Sequence, residues 1–196
     1  MKTRFSFLLA GLFLVLLSGC ISSIHPLYTS KDVVFDASLV GEWLDKDNSN
    51  RWVFESKADS SYALTYHENG IILDTSAITI SEFEVHLVNL DGHYFLDLYP
   101  GENNQIKMST LLATTLLPVH LFAKLEYIDG EYLISFLNGE WLKKSIADKK
   151  IDIAYEKTNE QIVLTASTHD LQKMVLQNVD NEEAFIEPAT LVRSKK

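Results

Sequence analysis

Two Asp-Gly dipeptides, each set between runs of alternating apolar and polar residues, constrain this chain more than any other feature. A two-residue hairpin loop that follows the twist of its strands needs positive φ at both positions, and Asp-Gly is among the few pairs that adopt it cheaply. Asp91-Gly92 separates Glu82–Leu90 from His93–Tyr99, which sets Leu90 opposite His93 and His86 opposite Asp97. Side chains alternate across a strand, so that register also fixes the faces. Phe83, Val85, Leu87, Tyr94, Leu96 and Leu98 share an apolar face. Glu84, His86, Val88, His93, Phe95, Asp97 and Tyr99 share a mixed one.

Asp129-Gly130 repeats the device between Val119–Ile128 and Glu131–Leu137 and gathers Val119, Leu121, Ala123, Leu125, Tyr127, Tyr132, Ile134 and Phe136 on one face. Asn69-Gly70 is a third hairpin dipeptide, expected to turn Tyr62–His67 back into Ile71–Leu73. Arg51–Glu55 alternates with Trp52 and Phe54 on one face, and Ser61–Tyr66 does so with Tyr62, Leu64 and Tyr66. Successive hairpins with one apolar face make an antiparallel meander, whose edges must close or be covered.

The last third adds helices. Asn138 is a cap for Gly139–Ala147, and Ser167 caps a second helix whose Leu171, Met174, Val175 and Val179 fall on one face, suited to packing on a barrel wall. Gln161–Thr165 and, after Pro188, Thr190–Arg193 read as strands. Asn103–Leu117 is apolar without alternation and ends before Pro118. It reads as a buried connecting segment or as a short helix over a barrel mouth.

Gly41-Glu42-Trp43 resembles the G-x-W signature that opens the first strand of lipocalins and related small-molecule-binding barrels. The resemblance implies that Trp43 closes one barrel end beneath an arginine near the carboxyl end, a place that Arg193 suits. The fold expected is therefore mainly β, an antiparallel meander forming a lipocalin-like β-barrel, with one or two short helices in the C-terminal third. A small hydrophobic ligand inside it would meet Trp52, Phe54, Tyr62, Leu64, Phe83 and Leu96, and the same residues would serve equally as a filled core.

The amino terminus sets the address. Lys2 and Arg4 precede the apolar run Phe5–Leu17, and Leu17-Ser18-Gly19-Cys20 closes it, the pattern of a signal peptide over residues 1–19. The tetrapeptide resembles the lipobox of bacterial lipoproteins, which implies diacylation of the Cys20 thiol, removal of the preceding peptide and acylation of the new amino terminus. Cys20 is the only cysteine of the 196 residues. Two or more acyl chains hold a protein stably to a bilayer, so the membrane is the expected partner through acylated Cys20. Ile21 is not the aspartate that retains such lipoproteins at the inner membrane, which points to the outer membrane, facing the periplasm. His25-Pro26-Leu27-Tyr28-Thr29, with Lys31–Asp36 and Leu39–Trp43, resembles a group of uncharacterised bacterial lipoproteins and brings no activity with it. Residues 20–38 then read as a lipidated terminus and tether, and 39–196 as a single domain.

Charge and motifs narrow the chemistry. The formal net charge is −10, and losing residues 1–19 removes two cations and no acid; this argues against nucleic acid. No serine elbow, phosphate loop, dinucleotide fingerprint or zinc spacing is present, so no cofactor and no metal are expected. The best constellation is His86 across from Asp97, with Glu84 and His93 on the same face. It would be a hydrogen-bonded base, half of a metal site, or a solvent-facing ion pair. His120 reads as a satisfied surface or edge histidine. The chain is expected not to be an enzyme but to bind a small hydrophobic molecule, or else to be an envelope scaffold that docks another protein through Tyr99 and Phe95.

Overall fold

The computed structural model describes residues 21–46, 50–57, 60–69, 78–102, 109–158 and 161–195. Its elements, in chain order, are β1 (Ser22–Ser23), β2 (Val33–Val34), β3 (Gly41–Asp45), β4 (Asn50–Ser56), β5 (Ser61–Asn69), β6 (Ile78–Leu90), β7 (His93–Pro100), α1 (Thr110–Ala113), β8 (His120–Ile128), β9 (Glu131–Phe136), α2 (Gly139–Ala147), β10 (Tyr155–Thr158), β11 (Gln161–Leu164), α3 (Thr168–Gln177) and β12 (Ala189–Arg193). A 3-10 turn, Glu182–Ala184, precedes β12.

β3 to β9 form a continuous meander, and β12 closes it by pairing antiparallel with both β3 and β9. The result is a closed antiparallel barrel of eight strands with three short helices outside, the lipocalin-like architecture expected. Both Asp-Gly turns hold the register that the sequence dictates, with Leu90 opposite His93, His86 opposite Asp97 and Ile128 opposite Glu131. Asp91 and Gly92 sit at φ 51° and 89°, and Asp129 and Gly130 at 54° and 89°, left-handed conformations that Asp and Gly tolerate best.

The third hairpin is corrected. β5 returns in β6 with Asn69 opposite Ile78, not in Ile71–Leu73. Residues 70–77, between the two, lie outside the described residues.

An eight-stranded barrel has an interior just wide enough for side chains to fill. Trp43, Trp52, Phe54, Tyr62, Leu64, Val85, Leu87, Leu96, Leu98, Leu125 and Ile134 are buried there in one cluster. The end at which β3 begins is shut as the G-x-W pattern implies. The Arg193 guanidinium lies 5.0 Å from the centre of the Trp43 ring and donates to the carbonyls of Ser38 and Val40. Gly41 makes room for it: its φ is 137°, and a Cβ there would stand 2.8 Å from Nη2 of Arg193.

A second core lies outside the wall. Val88, Leu90, Phe95 and Phe122, on the outer faces of β6–β8, are buried with Trp141 and Leu142 of α2, and with Leu171, Met174 and Val175 of α3. The caps are those expected: Asn138 accepts from the amides of Glu140 and Trp141, and Ser167 from that of Asp170. Phe95 is therefore wholly buried and belongs to no exposed contact patch.

Two other expectations change. The stretch read as a tether is built into the domain over its described residues. Ile21 is only 3% exposed, and β1 pairs with β8 and with β11, which hairpins with β10. The amide N–H of Leu27 is bonded into the wall, and β2 pairs with β6 beyond the reach of β5. The 109–117 part of the apolar connection is not buried: Leu111, Leu112, Leu116 and Leu117 are exposed, and only Thr110–Ala113 is helical. Residues 103–108 lie outside the described residues.

Candidate functional site

The six residues expected to line a ligand all face the barrel interior, on β4, β5, β6 and β7. Trp52, Phe54, Tyr62, Leu64 and Leu96 are buried, and Phe83 packs against them half-buried. Trp52 stacks on Phe54 at 6.4 Å, and Phe54 meets Tyr62, and Trp52 meets Tyr66, edge-on at 6.3 and 4.8 Å. The polar handles are answered: the Trp52 indole N–H donates to Asp45, and the Tyr62 hydroxyl donates to the carbonyl of Asp36 and accepts from its amide. Tyr66 is pushed up to about 12 by burial first, then by Glu68 and Asp45. These side chains serve as the packing of the barrel. Cys20 lies outside the described residues.

The histidine constellation is real but assembled differently. His86 does sit across from Asp97, yet Asp97 is fully buried rather than solvent-facing, and its hydrogen-bonded partner is His120. The Nδ1 of His120 donates to Oδ1 of Asp97 at 2.6 Å, and Oδ2 accepts the amide N–H of Leu27 at 2.7 Å. His86 instead stacks on Tyr28 at 4.2 Å. Burial pushes its pKa down, with Glu84 and Asp97 pulling back the other way. Tyr99 lies against His120 at 4.6 Å, and Glu84 pairs with Lys57. His93 stands exposed beside the turn.

Tyr28, Lys57, Glu84, His86, Tyr99 and His120 line a groove of about 540 Å³ on the outer wall. An oriented imidazole can shuttle a proton. Here Asp97 Oδ1 fixes the His120 ring through Nδ1, and Oδ2 holds the Leu27 amide. The same strap is held from its far side, where Thr168 donates to the carbonyl of Pro26, and Gln172 to the carbonyl of Leu27 and to Asp32. Asp97, Thr168 and Gln172 thus clamp the amino-terminal segment beside the groove to the barrel and α3. Among the described residues no three His, Cys, Asp or Glu groups are placed to hold a metal ion.

A different concavity forms the barrel's mouth, at the end that Trp43 and Arg193 close. It has a volume of about 400 Å³ and is lined by Val34, Phe35, Asp36, Ala37, Leu87, Tyr94, Leu125, Tyr127 and Tyr132. The inward face of β7 supplies Tyr94, and β8 and β9 supply Tyr127 and Tyr132 on either side of Asp129-Gly130; their rings lie 4.7 Å apart. β2 and the turn after it bring Val34–Ala37 across the mouth. Phe35 and Tyr94 remain 44% exposed and Tyr127 60% exposed, an unusual amount of apolar surface gathered in one place. Tyr94, Tyr127 and Tyr132 were legible as members of apolar faces. That Tyr94 and Tyr127 stay exposed as a rim over the buried Tyr132, with Phe35 completing it, was not.

Compared with protein-family models, with curated proteins and with solved structures, the chain has no match in any of the three.

Proposed function

We propose that this protein is a lipid-anchored lipoprotein of the bacterial envelope whose lipocalin-like barrel binds a small hydrophobic ligand, without catalysis, in the aromatic pocket at its mouth. The observation that carries the reading is that pocket: its volume is in the usual range of small-molecule sites, and aliphatic and aromatic side chains share its walls with three tyrosines and one carboxylate. The ligand's place moves from the packed interior to the mouth. Membrane residence is supported by the Leu17-Ser18-Gly19-Cys20 string and by the exposed leucines at 111, 112, 116 and 117. With Ile21 buried in the domain, an acyl group on Cys20 would hold the fold directly at the bilayer, with no spacer between them. By the same sorting argument the outer membrane, on its periplasmic side, is the place proposed.

Native mass spectrometry of the lipidated protein, extracted from its host membrane, tests both halves. The expected spectrum carries the acyl mass on the amino-terminal cysteine and a second, non-covalent mass lost on Tyr127→Ala substitution. Acylated protein with no bound mass across a range of lipids would overturn the carrier reading. It would favour a scaffold whose contact patch is Phe35, Tyr94, Tyr127 and Ile128, all exposed, in place of the buried Phe95.

A further inference from the structure

The mouth pocket contains one ionisable group that is not a tyrosine. Asp36 lies in its wall, and no lysine, arginine or histidine accompanies it. The Asp36 carboxylate is exposed. Its Oδ1 accepts from the amide and hydroxyl of Ser38, and Oδ2 makes only a 3.4 Å contact with the Tyr132 hydroxyl. The rings of Phe35, Tyr94, Tyr127 and Tyr132 line the same pocket, with Phe35 stacked on Tyr62 at 5.1 Å and Tyr132 buried.

Aromatic faces carry negative quadrupole potential and attract cations, most strongly where water is partly excluded. A carboxylate beside such a set adds a full opposite charge, and the net charge of −10 adds a long-range field of the same sign. The same arrangement disfavours an anionic ligand such as a fatty acid, whose head group would meet Asp36 with no cation to balance it.

We propose that the mouth pocket selects ligands carrying an alkylated ammonium group, with the cation caged by Phe35, Tyr94, Tyr127 and Tyr132 and paired with Asp36. This rests on the mouth being the ligand site, and it names the class of ligand. The ammonium group is the shared chemistry of free quaternary amines and of phosphocholine lipid head groups.

The test uses the full lipidated chain in phosphatidylglycerol nanodiscs, which contribute no ammonium group. Binding of choline, of its neutral isostere 3,3-dimethylbutanol, of dihexanoylphosphatidylcholine and of myristate is measured by calorimetry. Choline is expected to bind about tenfold or more tighter than the neutral isostere, and myristate weakest. Asp36→Asn, which keeps the oxygen that Ser38 needs, should erase the preference. Tyr127→Leu, on a side chain too exposed to matter for folding, should weaken choline similarly. Binding of dihexanoylphosphatidylcholine without choline would assign the cation to a lipid head group, and the reverse to a free amine. Equal binding of choline and its isostere would overturn this inference and leave the mouth as an apolar site. Binding of none of the four would overturn both.

Discussion

The wall groove and the mouth pocket are comparable in size, about 540 and 400 Å³, and are built on opposite terms. In the groove the polar groups answer one another: Asp97 holds His120 and the Leu27 amide, His86 rests on Tyr28, and Glu84 pairs with Lys57. At the mouth, the rings of Phe35, Tyr94 and Tyr127 stay open to solvent beside one carboxylate. A concavity whose polar atoms are satisfied from within the chain is part of the scaffold, whereas one that leaves apolar surface uncovered points to an outside partner. By residue type alone the groove, with its histidines and acids, would attract a catalytic reading first.

Substitutions should separate the two regions. Both rest on the barrel interior, so Phe54→Ala should cost the most, about 3–5 kcal/mol by denaturant unfolding, and should weaken mouth binding as well. Asp97→Ala should cost about 2–4 kcal/mol, because it leaves the His120 ring and the Leu27 amide without their acceptor. If Asp97 clamps the amino-terminal segment, amide exchange should quicken over residues 25–32 while mouth binding persists; unchanged exchange there would break the comparison. Gly41→Ala should cost about 1–3 kcal/mol, since it forces a Cβ into a left-handed conformation and against Arg193.

A subtler contrast lies in pH. His86 has a folded pKa below the ordinary histidine value because burial disfavours its charged form. The unfolded chain therefore binds the proton more readily. Its contribution to stability is complete above the unfolded pKa of about 6.5. That contribution falls as pH drops through that value and levels off below the lowered folded one. His86→Gln should flatten this part of the stability profile; an unchanged profile would remove His86 as its cause. Tyr127→Ala should have the smallest effect on stability, within about 0.5 kcal/mol, while abolishing ligand binding. A large loss of stability there would mean that the mouth is structural too.

Much of the fold was legible because its determinants are short-range. The two Asp-Gly turns fix φ locally, and each then sets a register along its whole hairpin. Asn138 and Ser167 cap helices through amides two or three residues away. The return of Tyr62–His67 changed for the complementary reason: a turn dipeptide fixes a register only with the strand that pairs there, and β5 pairs with residues from Ile78 onward. The strap misled in another way. Ile21, Leu27 and Tyr28 are too sparse to read as an element, and their burial depends on a wall and a helix distant in sequence. The candidate site was half legible. The rings on β7, β8 and β9 could be assigned to a face, but not to its exposed end.

Alternation, turn chemistry and caps thus determined by themselves the hairpins, the inward faces and the two longer helices, since each acts within a few residues. Tertiary structure decided what those faces meet. Asp97 was assigned by register to His86, but the folded chain gives it His120, 23 residues away, and Leu27, 70 residues away. Likewise β12 completes the ring only by arriving between β3 and β9. A buried carboxylate is held by whichever donors the whole fold brings to it, because burial removes the water that would otherwise satisfy it.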